Sequence, residues 1–512
     1  MTPWTSGYVA DIGYTYGYYL ELNPLRTQLA FLNAGLACPS VGNACELGFG
    51  QGISVNLHAA GNTSCAWYGT DFNPSQAGFA QSLASASGAQ AHLFDEAFAD
   101  FCTRSDLPEF DYIGIHGIWS WISDENRQVI VDFVRRKLAV GGVLYISYNT
   151  LPGWSAAAPL RHLMTQHAEA MTGSGHGILN RVEAALGFTQ QLLDTQPLYT
   201  LANTQVPERF AKLKDQNKSY LAHEYFNRDW HPMYFADMAQ WLEPAKLSFA
   251  CSTHLLDHVE AINLSTEQQT LLNGLPDPLF RQTVRDYLVN QQFRKDYWVK
   301  GPRRLDPLVQ AEQLRALRVI LTTPRADVPL KVQGARGEAT LNESVYVPIL
   351  DCLADHKIQR VGDLESALRD KGVNFPQLIQ SLIVLAGMGH VTGAQDEATI
   401  KASLKTSQKL NLTLMHQARS QGEISYLTSP VTGGGITVPR FPQLFLLALL
   451  NGKKQPEEWA AFVWQLLAAQ GQSILKDGQP LPTPEANLAE LTQQAQTFAE
   501  KQLPIMKALQ VV

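Results

Sequence analysis

The chain has 512 residues, and at roughly 100–200 residues per domain this length predicts three or four domains. Hydrophobic residues make up 45% and charged residues 17% of the composition, which excludes wholesale disorder and supports large packed cores. Forty Lys and Arg against forty-seven Asp and Glu give a net charge of −7. This is not the charge of a general nucleic-acid or membrane-surface binder.

Targeting and redox signals are weak throughout the sequence. The first 22 residues lack the basic start and apolar core of a signal peptide, and the longest apolar run, Leu444–Leu450, is too short to span a bilayer. The six cysteines form neither a CxxC pair nor a zinc spacing: Cys38, Cys45, Cys65, Cys102, Cys251 and Cys352. We therefore expect a soluble, cytoplasmic protein with reduced cysteines and no metal site.

Helix and strand patterns alternate over the first 150 residues. A helix capped by Asn23 and Pro24 runs to about Gly35. Strands are predicted at Ala44–Gly48, Cys65–Thr70, His92–Phe94, Tyr112–His116 and Val143–Tyr148. The helices between them are predicted at 51–60, 73–88, 96–104 and 123–141. Five strands alternating with helices predict a parallel, doubly wound α/β sheet of Rossmann-like type.

The later chain divides into three further parts. Residues 151–244 are helical in pattern and are predicted to form an insertion over the ligand edge of the sheet. Strand patterns at Lys246–Ser252 and Phe293–Val299 return the chain to the sheet, so 1–150 and 245–300 form the predicted core. Residues 301–395 are predicted to be a linker and a winged-helix-like domain, and 396–512 a mostly helical domain.

The winged-helix-like pattern raises the question of DNA binding. Its third predicted helix, Phe375–Met388, contains no Lys or Arg. A recognition helix without cations cannot make the usual phosphate and guanine contacts. Protein docking or dimerisation is the favoured interpretation, and no nucleic-acid partner is expected.

A glycine loop follows the first predicted strand in the segment CELGFGQG. A nicotinamide-binding GxGxxG pattern would need a glycine at Ile53, and the GK[ST] of a P-loop is absent. The glycines at 48, 50 and 52 would let a ligand approach the backbone at the carboxyl end of the strand. Glu46, at the strand end, disfavours a pyrophosphate and suits a cationic, amino-acid-like ligand.

Acidic residues also follow the next two strands. Asp71 lies about twenty residues past Gly52, where a carboxylate can accept hydrogen bonds from both ribose hydroxyls. Asp95 ends the third strand, in a position suited to an adenine amino group. One such Asp would usually be a helix cap, but three acids at successive strand ends beside a glycine loop favour a ligand site.

Over roughly residues 1–300 this order of motifs resembles the class I S-adenosylmethionine-dependent methyltransferases. Four further segments, HGIWSW from His116, SYNTLPGW from Ser147, HEYF from His223 and FRKD from Phe293, are similar to bacterial methyltransferases that carry a methyltransferase regulatory domain. That group includes lysine methyltransferases of outer-membrane proteins. The resemblance implies a seven-stranded class I methyltransferase sheet and S-adenosyl-L-methionine as the cofactor.

The resemblance also implies roles for individual residues. The implied cofactor contacts are Glu46, Gly48, Gly50, Gly52, Asp71, Asp95, Ala97, Phe98 and His116. The implied catalytic or acceptor-pocket residues are Tyr148, Asn149, His116, Trp119, Trp121 and Tyr225, with Tyr148 the first choice. His116 could instead be a general base or a strand-end residue that orients a turn, and the tryptophans could be core residues. His223, Glu224 and Tyr225 could face the site from the helical insertion, although Glu224 could instead be a helix-surface acid.

The N-terminal tyrosines 14, 16, 18 and 19 fit either a lid over the cofactor or a packed arm. For the whole chain we expect methyl transfer to lysine side chains of a protein, with an outer-membrane protein as one candidate acceptor. A small-molecule O- or N-methyltransferase and a non-catalytic, cofactor-sensing interaction protein are the alternatives. Residues after about Arg303 are expected to hold the acceptor or mediate homodimerisation, with the catalytic fold complete without them.

Overall fold

The computed structural model describes residues 13–171 and 177–512 of the chain. Its centre is a seven-stranded sheet of β1 Asn43–Leu47, β2 Ala66–Thr70, β3 Ala91–Phe94, β4 Phe110–Ile115, β5 Leu138–Asn149, β6 Leu247–Ser252 and β7 Phe293–Lys300. The strand order is β3-β2-β1-β4-β5-β7-β6. The first five strands are parallel, and β7 is antiparallel to both β5 and β6. The predicted sheet is confirmed, including the return of two late strands.

Helix α1 Pro24–Asn33 precedes β1, and four helices connect the first five strands: α2 Ile53–Gly61, α3 Pro74–Ser87, α4 Phe98–Phe101 and α5 Asp124–Lys137. Side chains cap three of them, because Asn23, Asn73 and Ser123 each accept a hydrogen bond from a first-turn backbone N–H. Helix α5 ends before the predicted Gly141, since Leu138 already pairs with Phe110 as the first residue of β5. The predicted boundary is therefore corrected by four residues.

Residues 151–244 form the predicted helical insertion, with α6 Ala158–Ala170, α7 Ile178–Asp194, α8 Leu198–Ala202, α9 Gln205–Lys214, α10 Lys218–Tyr225 and α11 Phe235–Leu242. A separate apolar core, with Met164, Val182, Phe210 and Leu221, joins α6, α7, α9 and α10. Helix α11 instead packs on the sheet core through Phe235 and Met238. Helices α12 Glu260–Asn263, α13 Thr266–Asn273 and α14 Pro278–Leu288 connect β6 to β7.

The next region contains helices α15 Pro307–Ala316, α16 Glu343–Cys352, α17 Val361–Leu368 and α18 Phe375–Gly387. A small antiparallel sheet of β8 Arg318–Leu321, β11 Gln359–Arg360 and β12 Val391–Gly393 accompanies them, with a hairpin of β9 Lys331–Gly334 and β10 Gly337–Thr340. Eight of the 13 residues of helix α18 are buried, all of them between Leu378 and Ala386. A helix buried in this way is not displayed for insertion into a DNA groove, and the winged-helix assignment itself stays a prediction.

The C-terminal region contains α19 Glu397–Gln417, β13 Tyr426–Ser429, β14 Gly434–Thr437, α20 Arg440–Leu450, α21 Pro456–Ala469, β15 Leu475–Lys476, β16 Gln479–Pro480, α22 Pro484–Thr497 and α23 Leu503–Ala508. Across the described ranges 13–171 and 177–512, no helix has both the length and the apolar character of a membrane span.

This C-terminal region packs directly on the helix that follows the glycine loop. Every residue of α2 is buried, and α19, β13 and β14 all contact it. At Gly61 an added Cβ would lie 2.9 Å from the backbone carbonyl carbon of Gly433, so no larger residue fits between the two regions. The catalytic sheet is thus complete in topology by residue 300, but the cover of α2 comes from residues beyond it.

Candidate functional site

A cavity of about 370 Å³ lies at the carboxyl ends of β1, β2 and β4. Among the residues that line it are eight predicted from the sequence: Glu46, Gly48, Gly50, Asp71, Ala97, Phe98, His116 and Trp121. This edge is where parallel α/β sheets bind ligands, because the strand-to-helix loops converge there. The structure therefore brings most of the predicted cofactor residues together around one space.

Asp71 ties the glycine loop to the end of β2. Its Oδ2 accepts a hydrogen bond from the Gly50 backbone N–H at 2.9 Å, and its Oδ1 accepts one from Asn73 N–H at 3.0 Å. Burial raises the pKa of Asp71 to about 6, although the two backbone N–H groups oppose the shift. A carboxylate keeps further lone pairs when it accepts two hydrogen bonds, so Asp71 can also accept from ligand hydroxyls.

Glu46 is the most deeply buried acid of this cavity, with 2% of its surface exposed. Its Oε2 has no hydrogen-bond partner in the part of the chain that the structure describes. Burial, and secondarily the charge of Asp71, raise the pKa of Glu46 well above its usual value. A cationic group beside it would compensate the cost of the buried carboxylate, so the geometry fits an ammonium-bearing ligand.

The acid that lines the cavity after β3 lies one position later in the chain than predicted. Asp95 is exposed and does not line the cavity, whereas Glu96, Ala97 and Phe98 do. The Glu96 Oε1 atom accepts a hydrogen bond from Arg104 at 2.7 Å. The predicted placement of Asp95 is corrected, because the turn after β3 directs Glu96 rather than Asp95 inward, and no sequence periodicity extends into that turn.

Gly52 also lies outside the cavity. Its φ is +68°, and an added Cβ would lie 2.4 Å from the Cβ of Ala80 on α3. Asn56 strengthens this close approach, since its Nδ2 donates hydrogen bonds to the carbonyls of Gly52 and Ala80. The structure therefore corrects the expected cofactor contact: Gly52 allows α2 and α3 to pack closely and so supports the loop from behind.

His116 lies between the first cavity and a second one. Its Nδ1 is 2.6 Å from the Tyr145 hydroxyl, and its ring stacks on Tyr19 at 3.6 Å between centroids. Burial lowers the pKa of His116 to about 3, with Glu21 opposing and Lys295 assisting the shift. A neutral imidazole with so low a pKa is a poor proton acceptor at neutral pH, which favours a positioning contact over a general base.

The second cavity has a volume of about 760 Å³ and shares Tyr14, Tyr19, His116, Gly117 and Trp121 with the first. The helical insertion contributes Trp154, Tyr220 and Tyr225 to its wall. Of the predicted acceptor residues, Asn149 and Tyr225 lie here, and Asn149 Oδ1 accepts a hydrogen bond from Trp154 Nε1 at 3.2 Å. The insertion thus forms part of the wall of this cavity at the carboxyl edge of the sheet.

Two predicted acceptor residues belong to the core instead. Tyr148 is fully buried, and its hydroxyl donates a hydrogen bond to Asp296 Oδ2 at 3.0 Å. Trp119 is also fully buried, with its Nε1 3.4 Å from the sulfur of Met233. Successive strand residues point to opposite faces, so Asn149 and Tyr148 cannot both face the second cavity. The placements of Tyr148 and Trp119 in the acceptor pocket are corrected.

Replacing Tyr148 by phenylalanine should therefore act on stability. The buried Asp296 carboxylate would lose one donor, which costs about 1–2 kcal/mol of unfolding free energy. Urea unfolding of Tyr148→Phe measures this, and Tyr112→Phe is the control, because the buried Tyr112 hydroxyl donates only to the Glu21 carbonyl. A smaller loss in Tyr148→Phe than in Tyr112→Phe would contradict the assigned contact.

The N-terminal tyrosines combine both predicted roles. Tyr14 and Tyr19 line the two cavities, and the Tyr14 carbonyl accepts a hydrogen bond from Gln51 of the glycine loop at 3.2 Å. Tyr16 packs edge-on against Phe79, and the half-buried Tyr18 packs against His58 and Tyr426. The segment is thus an arm: Tyr16 and Tyr18 pack on the domain, and Tyr14 and Tyr19 cover the site.

Several residues of the two cavities were missed by sequence reasoning, among them Glu96, Ile118, Trp154, Arg209 and Asn290. Glu96 and Ile118 are neighbours of predicted residues, so the predicted strand ends already pointed to their vicinity. Arg209 and Asn290 carry no motif, because they reach the cavity only through packing of the insertion and of the turn before β7.

The chain is similar to known proteins in part of its sequence and in its fold. Residues 217–300 match a family model described as "Predicted methyltransferase regulatory domain". The structure of PKMT2 from Rickettsia typhi in complex with AdoHcy shares the fold, with a TM-score of 0.70 over 96% of this chain and 99% of that chain, at 18% identity. Uncharacterized protein RP789 of Rickettsia prowazekii is 23% identical over 59% of this chain and 54% of its own length.

The chain thus has the class I methyltransferase fold, with a glycine-loop cavity at the carboxyl edge of its sheet, and carries a predicted methyltransferase regulatory domain at residues 217–300. The uncharacterized protein sll1526 of Synechocystis is 42% identical to this chain over 510 residues, which is 99% of both proteins. The chain therefore belongs to the same family as this cyanobacterial protein.

Proposed function

We propose that the protein transfers methyl groups from S-adenosyl-L-methionine to lysine side chains of a protein. The observation that carries this proposal is the pair of joined cavities at the carboxyl edge of the sheet. One contains the buried acids Glu46 and Asp71, and the other is larger and lined by aromatic rings. His116 and Trp121 lie at their junction. PKMT2, which shares the fold, is described in complex with AdoHcy, the demethylated form of this cofactor.

The first cavity fits the cofactor by its chemistry. The unpartnered carboxylate of Glu46 would bind the amino group of the methionine part, and Asp71 would bind the ribose hydroxyls. Ala97 and Phe98 would contact the adenine ring. When bound, the cofactor supplies an electrophilic methyl group on a positively charged sulfur. The protein then has to position the acceptor and exclude water, and the second cavity would do both.

The second cavity fits a long cationic side chain. Tyr14, Tyr19, Trp121, Tyr220 and Tyr225 surround it with ring faces and edges, which can stabilise a cation and remove water from it. Removal of water favours the neutral amine that must attack the methyl group. Asn149 and the neutral His116 offer polar contacts to orient that amine. Residues of the matched regulatory domain, including Tyr220 and Phe293, thus form part of the proposed acceptor site.

Purified protein and isotope-labelled cofactor, added together to a protein extract of the native host, test the proposal. One half of the extract is first treated with acetic anhydride, which blocks lysine amines, and the other half is left untreated. We expect label in proteins of the untreated half and little in the acetylated half. Equal labelling of both halves would exclude lysine, and label confined to small molecules would favour a small-molecule methyltransferase.

An absence of transfer despite cofactor binding would favour the cofactor-sensing alternative. The larger cavity argues against that alternative, since it provides space for an acceptor beside the first cavity. An outer-membrane acceptor, homodimerisation and a cytoplasmic location stay predictions from the sequence.

A further inference from the structure

The charged side chains around the second cavity differ in whether they form salt bridges. Lys212 is bound to Glu208 at 2.7 Å, Lys295 is bound to Glu21 at 2.7 Å, and the guanidinium of Arg209 lies over the Trp154 ring at 3.9 Å. Each lining lysine therefore has its own carboxylate. Glu224, which also lines the cavity, forms no salt bridge with any residue that the structure describes.

The position of Glu224 is fixed by its neighbours. It lies in the last turn of α10, and its backbone carbonyl accepts a hydrogen bond from the Trp121 indole N–H at 3.4 Å. This bond connects the insertion to the segment after β4, where the two cavities meet. The positive charge of Arg161 acts on the Glu224 carboxyl. The Arg161 guanidinium itself donates to the Asn227 carbonyl and lies over the Trp230 ring.

The surroundings of Glu224 disfavour the charge of its carboxylate unless a cation lies beside it. Burial raises the pKa of its carboxyl to about 7, with the charge of Arg161 opposing the shift. An ammonium group in the cavity would favour the ionised carboxylate and form a charge-assisted hydrogen bond with it. The aromatic side chains of Trp121, Tyr220 and Tyr225 share the cavity with this carboxylate.

We propose that Glu224 is the residue that recognises the acceptor, its carboxylate binding the ammonium group of the incoming lysine in the second cavity. This inference rests on the proposed function and adds to it a named specificity residue. It accounts for a carboxylate among aromatic rings: the rings alone would accept a neutral side chain, whereas the charge selects a protonated amine. The bound amine must then pass its proton to this carboxylate or to water before its neutral form attacks the methyl group.

The test compares Glu224→Gln with wild-type protein in the labelled-extract assay, with rates measured over serial dilutions of untreated extract. The isosteric amide keeps the shape and removes the charge. We expect the apparent kcat/KM for the extract to fall roughly ten- to hundredfold, as for the loss of a charge-assisted hydrogen bond. The loss should appear mainly in KM, and the Kd for S-adenosylhomocysteine, measured by calorimetry, should not change.

Two further variants complete the design. Glu183→Gln is the matched control, because Glu183 belongs to the same insertion, is exposed and pairs with Lys218 outside both cavities. It should behave as wild type. Glu224→Asp keeps the charge on a shorter side chain and should recover part of the lost activity.

The outcomes separate the inference from the proposed function. Wild-type rates in Glu224→Gln would overturn the role of Glu224 while leaving lysine methylation intact. Loss of S-adenosylhomocysteine binding in parallel with activity would make Glu224 a structural residue and would also overturn the inference. A wild-type protein that binds S-adenosylhomocysteine but transfers no label would remove the proposed function and the inference together.

Discussion

Replacing Arg294 by methionine is expected to lower the free energy of unfolding by about 3–5 kcal/mol. The Arg294 side chain is 4% exposed and bonds two buried carboxylates, Asp286 at 2.6 Å and Asp296 at 2.8 Å. Burial by itself would lower the pKa of Arg294, but nearby negative charge, chiefly that of Asp296, raises it, so the guanidinium stays charged. Methionine would fill much of the volume and leave both carboxylates without a counter-charge.

Denaturant unfolding of the full chain measures this effect. Arg315→Met is the control, because Arg315 makes a bidentate pair with Glu365 near the surface, with 41% of its side chain exposed. Solvent screens a pair of that kind, so it contributes little to stability. If the two variants lost equal stability, the buried pairs around Arg294 would not stabilise the junction of β5 and β7 as the geometry indicates.

Replacing Asp71 by alanine is expected to weaken binding of S-adenosylmethionine and S-adenosylhomocysteine by about 1.5–3 kcal/mol, or roughly ten- to hundredfold. Two losses combine in this variant. The ribose hydroxyls would lose their charged acceptor, and the Gly50 and Asn73 backbone N–H groups would lose the carboxylate that orders the loop. Calorimetric titration with each compound measures the change.

Asp95→Ala provides the matched control for Asp71. Both residues are aspartates that follow a parallel strand of the same sheet, but Asp95 is exposed and outside the cavity. We expect its variant to bind both compounds as wild type does. A large loss in Asp95→Ala would show that the turn after β3 contacts the cofactor through Asp95 after all. Unchanged affinity in Asp71→Ala would remove Asp71 from the proposed ribose site.

The sequence by itself determined the sheet and the general location of the site. Apolar runs of strand length alternating with capped helices are local signals, so β1 to β7 and the helices beside them could be located before any tertiary contact was known. Glycines and acids at successive strand ends then placed Glu46, Gly48, Gly50 and Asp71 at one edge, because parallel strands end on the same side of a sheet.

Only the tertiary structure decided which neighbouring residues face that site. In the turn after β3 a shift of one position exchanges Asp95 for Glu96, and at the end of β5 the alternation of faces sends Tyr148 into the core and leaves Asn149 beside the cavity. Local pattern does not determine these directions, since side-chain orientation in a turn depends on what packs against it.

The remaining features depend on contacts between segments far apart in the chain. The C-terminal hairpin of β13 and β14 covers α2, and Asn23 near the first helix donates a hydrogen bond to the Thr432 carbonyl. The second cavity likewise forms only where α9 and α10 meet the N-terminal arm and the start of β7. Such contacts arise from burial of complementary surfaces, which is non-directional and leaves no periodic signal in the sequence.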